Sequence, residues 1–324
     1  MRTGRDRRGS ATRPVTRVRV FLAALLVWPT AALAQNQESL AARCLAEALV
    51  QEPTSCTQMA RAAGEVQGAI GLAGTWGGVL PGAAHSLGKR FADGPPRFEV
   101  TGRLGFVSFD LPNGGAGPAT SSSSLRPALQ AAFGGGVFEG FRARPSVGGV
   151  LALDLFGTLS WVSMPASVTG GGVQGGIGAR VGLLRESFDV PALALVVSSS
   201  WAGESRFERP GTPSAALEVT PRITAIRAAV AKDLGGLGVG LSLGRDWYRG
   251  GVALLPPSSQ SELRIEEGSF ANSRWAGALS AALNYLVLFL EGEVGWAAAL
   301  SGPDSGNYEP GGQVFGTVSA RLIF

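Results

Sequence analysis

QVFGTVSARLIF, residues 313–324, decides how the rest of the chain is read. Every second residue (Val314, Gly316, Val318, Ala320, Leu322, Phe324) is apolar or small, and between them stand Phe315, Thr317, Ser319, Arg321 and Ile323. A period of two is that of an extended strand whose faces meet different surroundings. One face is greasy throughout and the other carries an arginine and hydroxyls. Such a strand belongs either to a soluble sandwich or to a wall with lipid on one side and water on the other.

The same alternation recurs upstream. Arg97–Phe109 sets Phe98, Val100, Gly102, Leu104 and Phe106 against Arg97, Glu99, Thr101 and Arg103. Val147–Trp161 sets Leu151, Leu153, Leu155, Leu159 and Trp161 against Asp154, Thr158 and Ser160. Further runs span 127–141, 173–183, 191–201, 216–231, 237–247, 273–283 and 286–298, which makes ten with the last strand. Within 216–231 the parity slips near Ala225-Ile226, which marks an expected β-bulge. Connections alternate between short turns and long loops, the longest being 110–126 and 250–272. A sandwich has no reason for that alternation, whereas a membrane barrel has short turns at one end and long loops at the other. Trp161, Trp201, Trp247, Trp275 and Trp296 all fall on the apolar face near the long-loop end, an expected aromatic girdle.

The N-terminus carries a basic segment, the apolar run FLAALLVWPTAALA and an Ala-Leu-Ala site ending at Ala34, the pattern of a cleaved secretory signal over 1–34. That segment holds seven of the 28 basic residues and one of the 24 acidic ones, leaving 21 and 23, a net of −2. The basic balance of the whole chain therefore belongs to the leader and points to no nucleic acid. Residues 35–65 read as a helical segment, expected in the periplasm and clipped by a Cys44–Cys56 disulfide, as an oxidising compartment favours. The barrel is expected over 66–324. Residues 66–96 either add a hairpin (Gln67–Trp76 out, Leu87–Ala92 back), giving twelve strands, or fold in or below the barrel, leaving ten. Twelve is the preferred count.

The last strand resembles the C-terminal targeting strand of bacterial outer-membrane β-barrel proteins, with Gly316, Val318, Ala320, Leu322 and Phe324 in the pattern and phenylalanine at the end. With the leader and the ten runs, the resemblance covers residues 97–324 and identifies the superfamily. It implies an outer-membrane location and, during biogenesis, recognition by periplasmic chaperones and the barrel-assembly machinery.

The sequence offers no catalytic set. The single histidine, His85, has no orienting partner that the sequence places beside it, so no enzyme is expected. No Cys/His cluster suggests a metal, and Gly-x-Gly runs such as 236–240 sit inside strands, so neither metal nor cofactor is expected. The informative groups are those assigned to the lumen: Arg97, Glu99, Arg103, Asp154, Arg180, Glu218, Arg222, Asp246, Arg274, Glu291, Glu293 and Arg321. Both signs occur, so the lumen is either a narrow polar channel or a salt-bridged interior. The expected fold is an all-β, closed antiparallel transmembrane barrel with a short helical N-terminal segment, in contact with outer-membrane lipid. The expected function is a narrow channel or passive transporter for small solutes. The alternative is a structural or adhesive barrel with a closed lumen, acting through its loops.

Overall fold

A computed structural model describes residues 40–42, 53–75, 97–112, 121–141, 149–187, 190–208, 216–255, 263–300 and 312–324. The expected leader, Cys44, His85 and the 87–92 strand lie outside the described residues. The elements are one helix, α1 (Pro53–Thr75), and twelve strands: β1 (Phe98–Pro112), β2 (Ser121–Phe138), β3 (Ala152–Val162), β4 (Val168–Gly170), β5 (Val173–Leu184), β6 (Ala192–Ala202), β7 (Ser205–Glu208), β8 (Ala216–Asp233), β9 (Leu237–Leu255), β10 (Leu263–Tyr285), β11 (Leu288–Ala297) and β12 (Gln313–Ile323).

Ten of these strands close on themselves, every pairing antiparallel, in the order β1-β2-β3-β5-β6-β8-β9-β10-β11-β12. The seam between last and first strand is fully bonded. Val100 faces Leu322 and Val107 faces Phe315, and Phe98 and Phe324 exchange backbone hydrogen bonds of 2.8 and 3.0 Å. No edge is left open, which a backbone in hydrocarbon requires. The short β4 and β7 pair with each other, and β7 continues along β8 beyond the end of β6, raising the wall there.

Alternation now has a physical sense. Outward positions are large and apolar and are not covered: Leu279, Val294 and Val318 are each at least 60 % exposed. A continuous apolar outer wall of this kind has no place in water. Inward positions are polar or small over much of the wall and large and apolar at the long-loop end, among them Val107, Phe109, Leu217 and Val252. The turns at one end are tight: Asp233 Oδ1 accepts from the N–H groups of Gly235 and Gly236 at 2.9 and 2.8 Å, and both glycines need positive φ, 85° and 102°. That end is the short-turn end, and β1 runs from it to the long-loop end.

Several expectations are corrected. The barrel closes with ten strands, the smaller of the two counts. Gln67–Thr75, expected as an added strand, is helical, and α1 therefore runs ten residues past the expected boundary at 65. The helix also lies inside the barrel, packed on β1, β8, β3 and β6, and not below it in the periplasm. β8 contains no bulge at Ala225-Ile226: its ladders to β6 and β9 run without a register shift. Unbroken parity turns Glu218 and Arg222 outward and brings Arg227 in, opposite to the expectation for the first two. Register shifts occur instead at Gly136/Phe138, Gly182/Leu184 and Ile265/Phe270.

Candidate functional site

The lumen is organised in three storeys. In the first, at the long-loop end, α1 presents Cys56, Met59, Ala60, Ala63 and Val66 to a ring of wall side chains that includes Val107, Phe109, Leu111, Phe207, Leu217, Val219 and Val252, all in one buried apolar cluster. Leu40 and Ala41 join the same cluster, so the chain before α1 also packs at this end. At the rim of this storey Arg61 Nη2 donates to Asp110 Oδ2 at 3.3 Å, half-exposed.

The second storey is a polar collar around the C-terminal half of α1. Arg274 donates through Nη2 to the Gly68 carbonyl and through Nη1 to Gln313 Oε1, each at 2.7 Å. Gln313 Nε2 in turn donates to Glu65 Oε2 at 3.2 Å, and Asn272 Nδ2 to Gln67 Oε1 at 3.2 Å. Gln130 Nε2 reaches the carbonyls of Ala73 and Gly74 at 3.3 and 3.4 Å. Arg227 donates to Thr75 Oγ1 at 2.8 Å and pairs with Asp246 at 3.1 Å. A helix ends with unpaired carbonyls and a partial negative charge, and a donor amide and a cation are the partners that end requires. Helix and wall come close because the helix is small where they meet. A Cβ at Gly71 would strike the Tyr248 ring and stand 3.0 Å from Ile223 Cγ1, and one at Gly74 would strike the Gln174 amide. Tyr248 is held in turn by its hydroxyl donating to Asp246 Oδ2 at 3.2 Å and by the Arg274 guanidinium 5.0 Å from its ring centre.

The third storey, toward the short-turn end, holds no helix among the described residues. Arg180 bridges Glu99 at 3.2 Å and Asp154 at 3.1 Å. Arg321 lies 2.7 Å from Glu291 and 3.7 Å from Glu99, with its guanidinium 4.5 Å from the Phe289 ring centre. Ser319 donates to Glu291 Oε2 at 2.9 Å. These charges are buried and tie β1, β3, β5, β11 and β12 together. Pairing is what makes such burial tolerable.

The structure thus brings Glu99, Asp154, Arg180, Glu291 and Arg321 into one network and puts Asp246 and Arg274 in the collar. Arg103 is buried beside Gln130 at 3.5 Å, and Glu293 is buried on β11. Arg97 is exposed at the short-turn end, and Glu218 and Arg222 are on the outer face. Sequence reasoning missed Arg227, Gln130, Asn272, Gln313 and Tyr248. Unbroken parity along β8 was the available signal for Arg227. The Gly68, Gly71, Gly74 spacing was the signal that this helix meets a close neighbour. The five tryptophans face outward near the long-loop end, four well exposed and Trp247 partly covered. Cys56 is buried on α1 and is not a free thiol. Among the described residues no three side chains are placed to hold a metal ion.

No protein-family model matches the sequence, and no characterised protein matches it by sequence. Solved structures do. The translocator domain of the autotransporter NalP from Neisseria meningitidis is 10 % identical, with a TM-score of 0.43 over 72 % of this chain and 90 % of that one. An outer membrane channel from Pseudomonas putida F1 is 11 % identical, with a TM-score of 0.40 over 76 % and 100 %. The monoaromatic hydrocarbon channel TodX is 12 % identical, with a TM-score of 0.30 over 72 % and 90 %. The closed antiparallel wall, its bare apolar exterior and its polar interior are the architecture of the bacterial outer-membrane β-barrels.

Proposed function

We propose that the protein is an outer-membrane channel for small polar solutes that is held shut by its own N-terminal helix. The long-loop end faces the exterior, the short-turn end the periplasm, and residues 1–34 are removed on export. Cys44 and Cys56 form a disulfide that clips the segment before α1 at the outer mouth. The observation that carries the reading is the collar. The groups that grip α1, among them Gln130, Arg227, Asn272, Arg274 and Gln313, are polar. When the helix withdraws, these groups leave a polar belt suited to water and small solutes below the apolar ring of the outer mouth.

The third storey favours a second reading. Its ion pairs join wall to wall without α1, as in a structural barrel whose lumen stays shut and which acts through its loops. Planar-bilayer recording on the full chain separates the two. The channel reading expects rare openings in the wild type and frequent ones when Arg274→Met weakens the collar. Silence in both, with hydrogen exchange showing α1 released in the variant, leaves the structural reading.

A further inference from the structure

The collar has a direction. Among the described residues, its hydrogen bonds to the C-terminal half of α1 are donated by the wall and accepted by the helix. Arg274 Nη2 donates to the Gly68 carbonyl at 2.7 Å, and Gln313 Nε2 and Asn272 Nδ2 donate to Glu65 Oε2 and Gln67 Oε1, both at 3.2 Å. Gln130 donates to the carbonyls of Ala73 and Gly74, and Arg227 to Thr75 Oγ1. Acceptors of the wall at this level are already filled from within the wall. Both oxygens of Asp246 accept from Arg227, and Oδ2 also accepts from the Tyr248 hydroxyl. Gln313 Oε1 accepts from Arg274 Nη1, and Gln130 Oε1 from Arg103. Withdrawal of α1 therefore uncovers donors and not acceptors.

Charge points the same way. Arg227 keeps Asp246 as its counter-charge at 3.1 Å, and Glu293 interacts electrostatically with Arg103 and Arg227. Arg274 is buried and makes no ion pair among the described residues, and the carboxylate that α1 brings into its field is Glu65. Withdrawal of α1 takes that charge away. Arg274 and Gln313 are locked together by the 2.7 Å bond between Nη1 and Oε1, so Arg274 Nη2 and Gln313 Nε2 are fixed side by side. What they hold in the closed state is a carbonyl oxygen and a carboxylate oxygen one helical turn apart. Uncovered donors in a narrow lumen favour a solute that brings acceptor oxygens, and a guanidinium beside an amide N–H suits a carboxylate.

We propose that the vacated collar is the selectivity site of the open channel and that it takes small solutes bearing a carboxylate, which replace the Glu65 carboxylate and the Gly68 carbonyl on Gln313 and Arg274. Phosphate brings more charge than one guanidinium balances, so the carboxylate is the better match. The inference rests on the channel reading and adds the class of solute to it.

The test uses the full chain, in detergent for binding and in planar bilayers for selectivity. A solute that binds only the vacated collar holds α1 out by mass action, and at ten times its dissociation constant it raises the released population about elevenfold. Hydrogen exchange at residues 60–72 should therefore rise with lactate concentration. It should stay level in lactamide, which lacks the charge, and in chloride at the same ionic strength. Arg274→Met should raise the starting rate and abolish the response to lactate. In bilayers, wild-type openings should pass lactate in preference to potassium, and openings of Arg274→Met should lose that preference. Heat-dependent gel mobility reports whether each variant is folded. Gln313→Leu removes the second donor, should weaken both effects, and serves if Arg274→Met does not fold. Exchange that ignores lactate in the wild type overturns the proposal, as does a response that survives these substitutions unchanged or a wild-type preference for potassium. Inorganic phosphate acting as strongly as lactate overturns the assignment to a carboxylate. Bilayers that stay silent while exchange shows α1 released remove the channel reading, and the exchange response to lactate then decides by itself whether the collar takes carboxylates.

Discussion

The docking of α1 is testable at one atom. Replacing Gly71 by alanine adds a Cβ that meets the Tyr248 ring and stands 3.0 Å from Ile223 Cγ1. Neither neighbour yields easily. Tyr248 is fully buried, hydrogen-bonded to Asp246 and stacked under Arg274, and Ile223 is buried on β8. Overpacking of this kind costs about 1–3 kcal/mol. Alanine is a better helix former than glycine by at most about 1 kcal/mol, and that gain offsets part of the cost. Up to about 2 kcal/mol then remains against docking, and the middle of that range, about 1 kcal/mol, multiplies the undocked population roughly fivefold.

Hydrogen exchange followed by mass spectrometry on the detergent-solubilised full chain reads this directly. Peptides covering residues 60–72 should exchange faster by that factor while the strand peptides keep their protection. The reference is Gly102→Ala, where the added carbon meets nothing within 4 Å on the outer face of β1. If Gly71→Ala leaves α1 as protected as in the wild type, or if Gly102→Ala loosens it equally, the close fit between helix and wall is not what holds α1 in the lumen.

Other outcomes follow from the ionic storeys and the seam. Arg180→Met leaves Glu99 and Asp154 buried without their shared cation and should destabilise the barrel by about 3–5 kcal/mol, read as a lower temperature for the heat-dependent gel shift. Adding Glu99→Gln and Asp154→Asn should recover most of that loss. Arg274→Met removes the donors to Gly68 and Gln313 together, so faster exchange should centre on the second half of α1. Phe324→Ala keeps the backbone bonds to Phe98 and loses only a ring contact at 6.4 Å, about 0.5–1.5 kcal/mol. Folding into detergent, followed by heat-dependent gel mobility, should therefore change little.

Much of the wall was legible because a barrel in lipid leaves one periodicity no alternative. A one-residue slip would put Arg321 or Arg180 into hydrocarbon, so register is written in the side chains. Reading failed where that contrast fades. Around Thr220–Thr224 on β8 the contrast inverts, with Thr220, Arg222 and Thr224 facing outward and Pro221 and Ile223 inward beside α1, and the local pattern suggested a bulge that unbroken pairing excludes. The segment Gln67–Thr75 failed for a different reason. Its residues, QGAIGLAGT, have little preference for helix over strand, and what decides is the space inside the barrel, which no local pattern reports.

That space also explains the composition of α1. Eight-stranded barrels are filled by their own side chains, and wider ones need a plug, a ligand or water. Ten strands leave room for something narrower than an ordinary helix, whose diameter with side chains is about 10–12 Å. α1 carries glycine at 64, 68, 71 and 74 and alanine at 60, 62, 63, 69 and 73. Each interior glycine costs about 1 kcal/mol in helix propensity, so alone this segment has little reason to be helical. Inside the wall the loss is offset by the apolar first storey and by donors waiting at Arg274, Gln130 and Arg227. Helix formation and lumen closure are then one event. Any state that opens the lumen by withdrawing α1 must also unfold much of it, and an open state in which residues 60–72 keep their exchange protection would contradict this coupling.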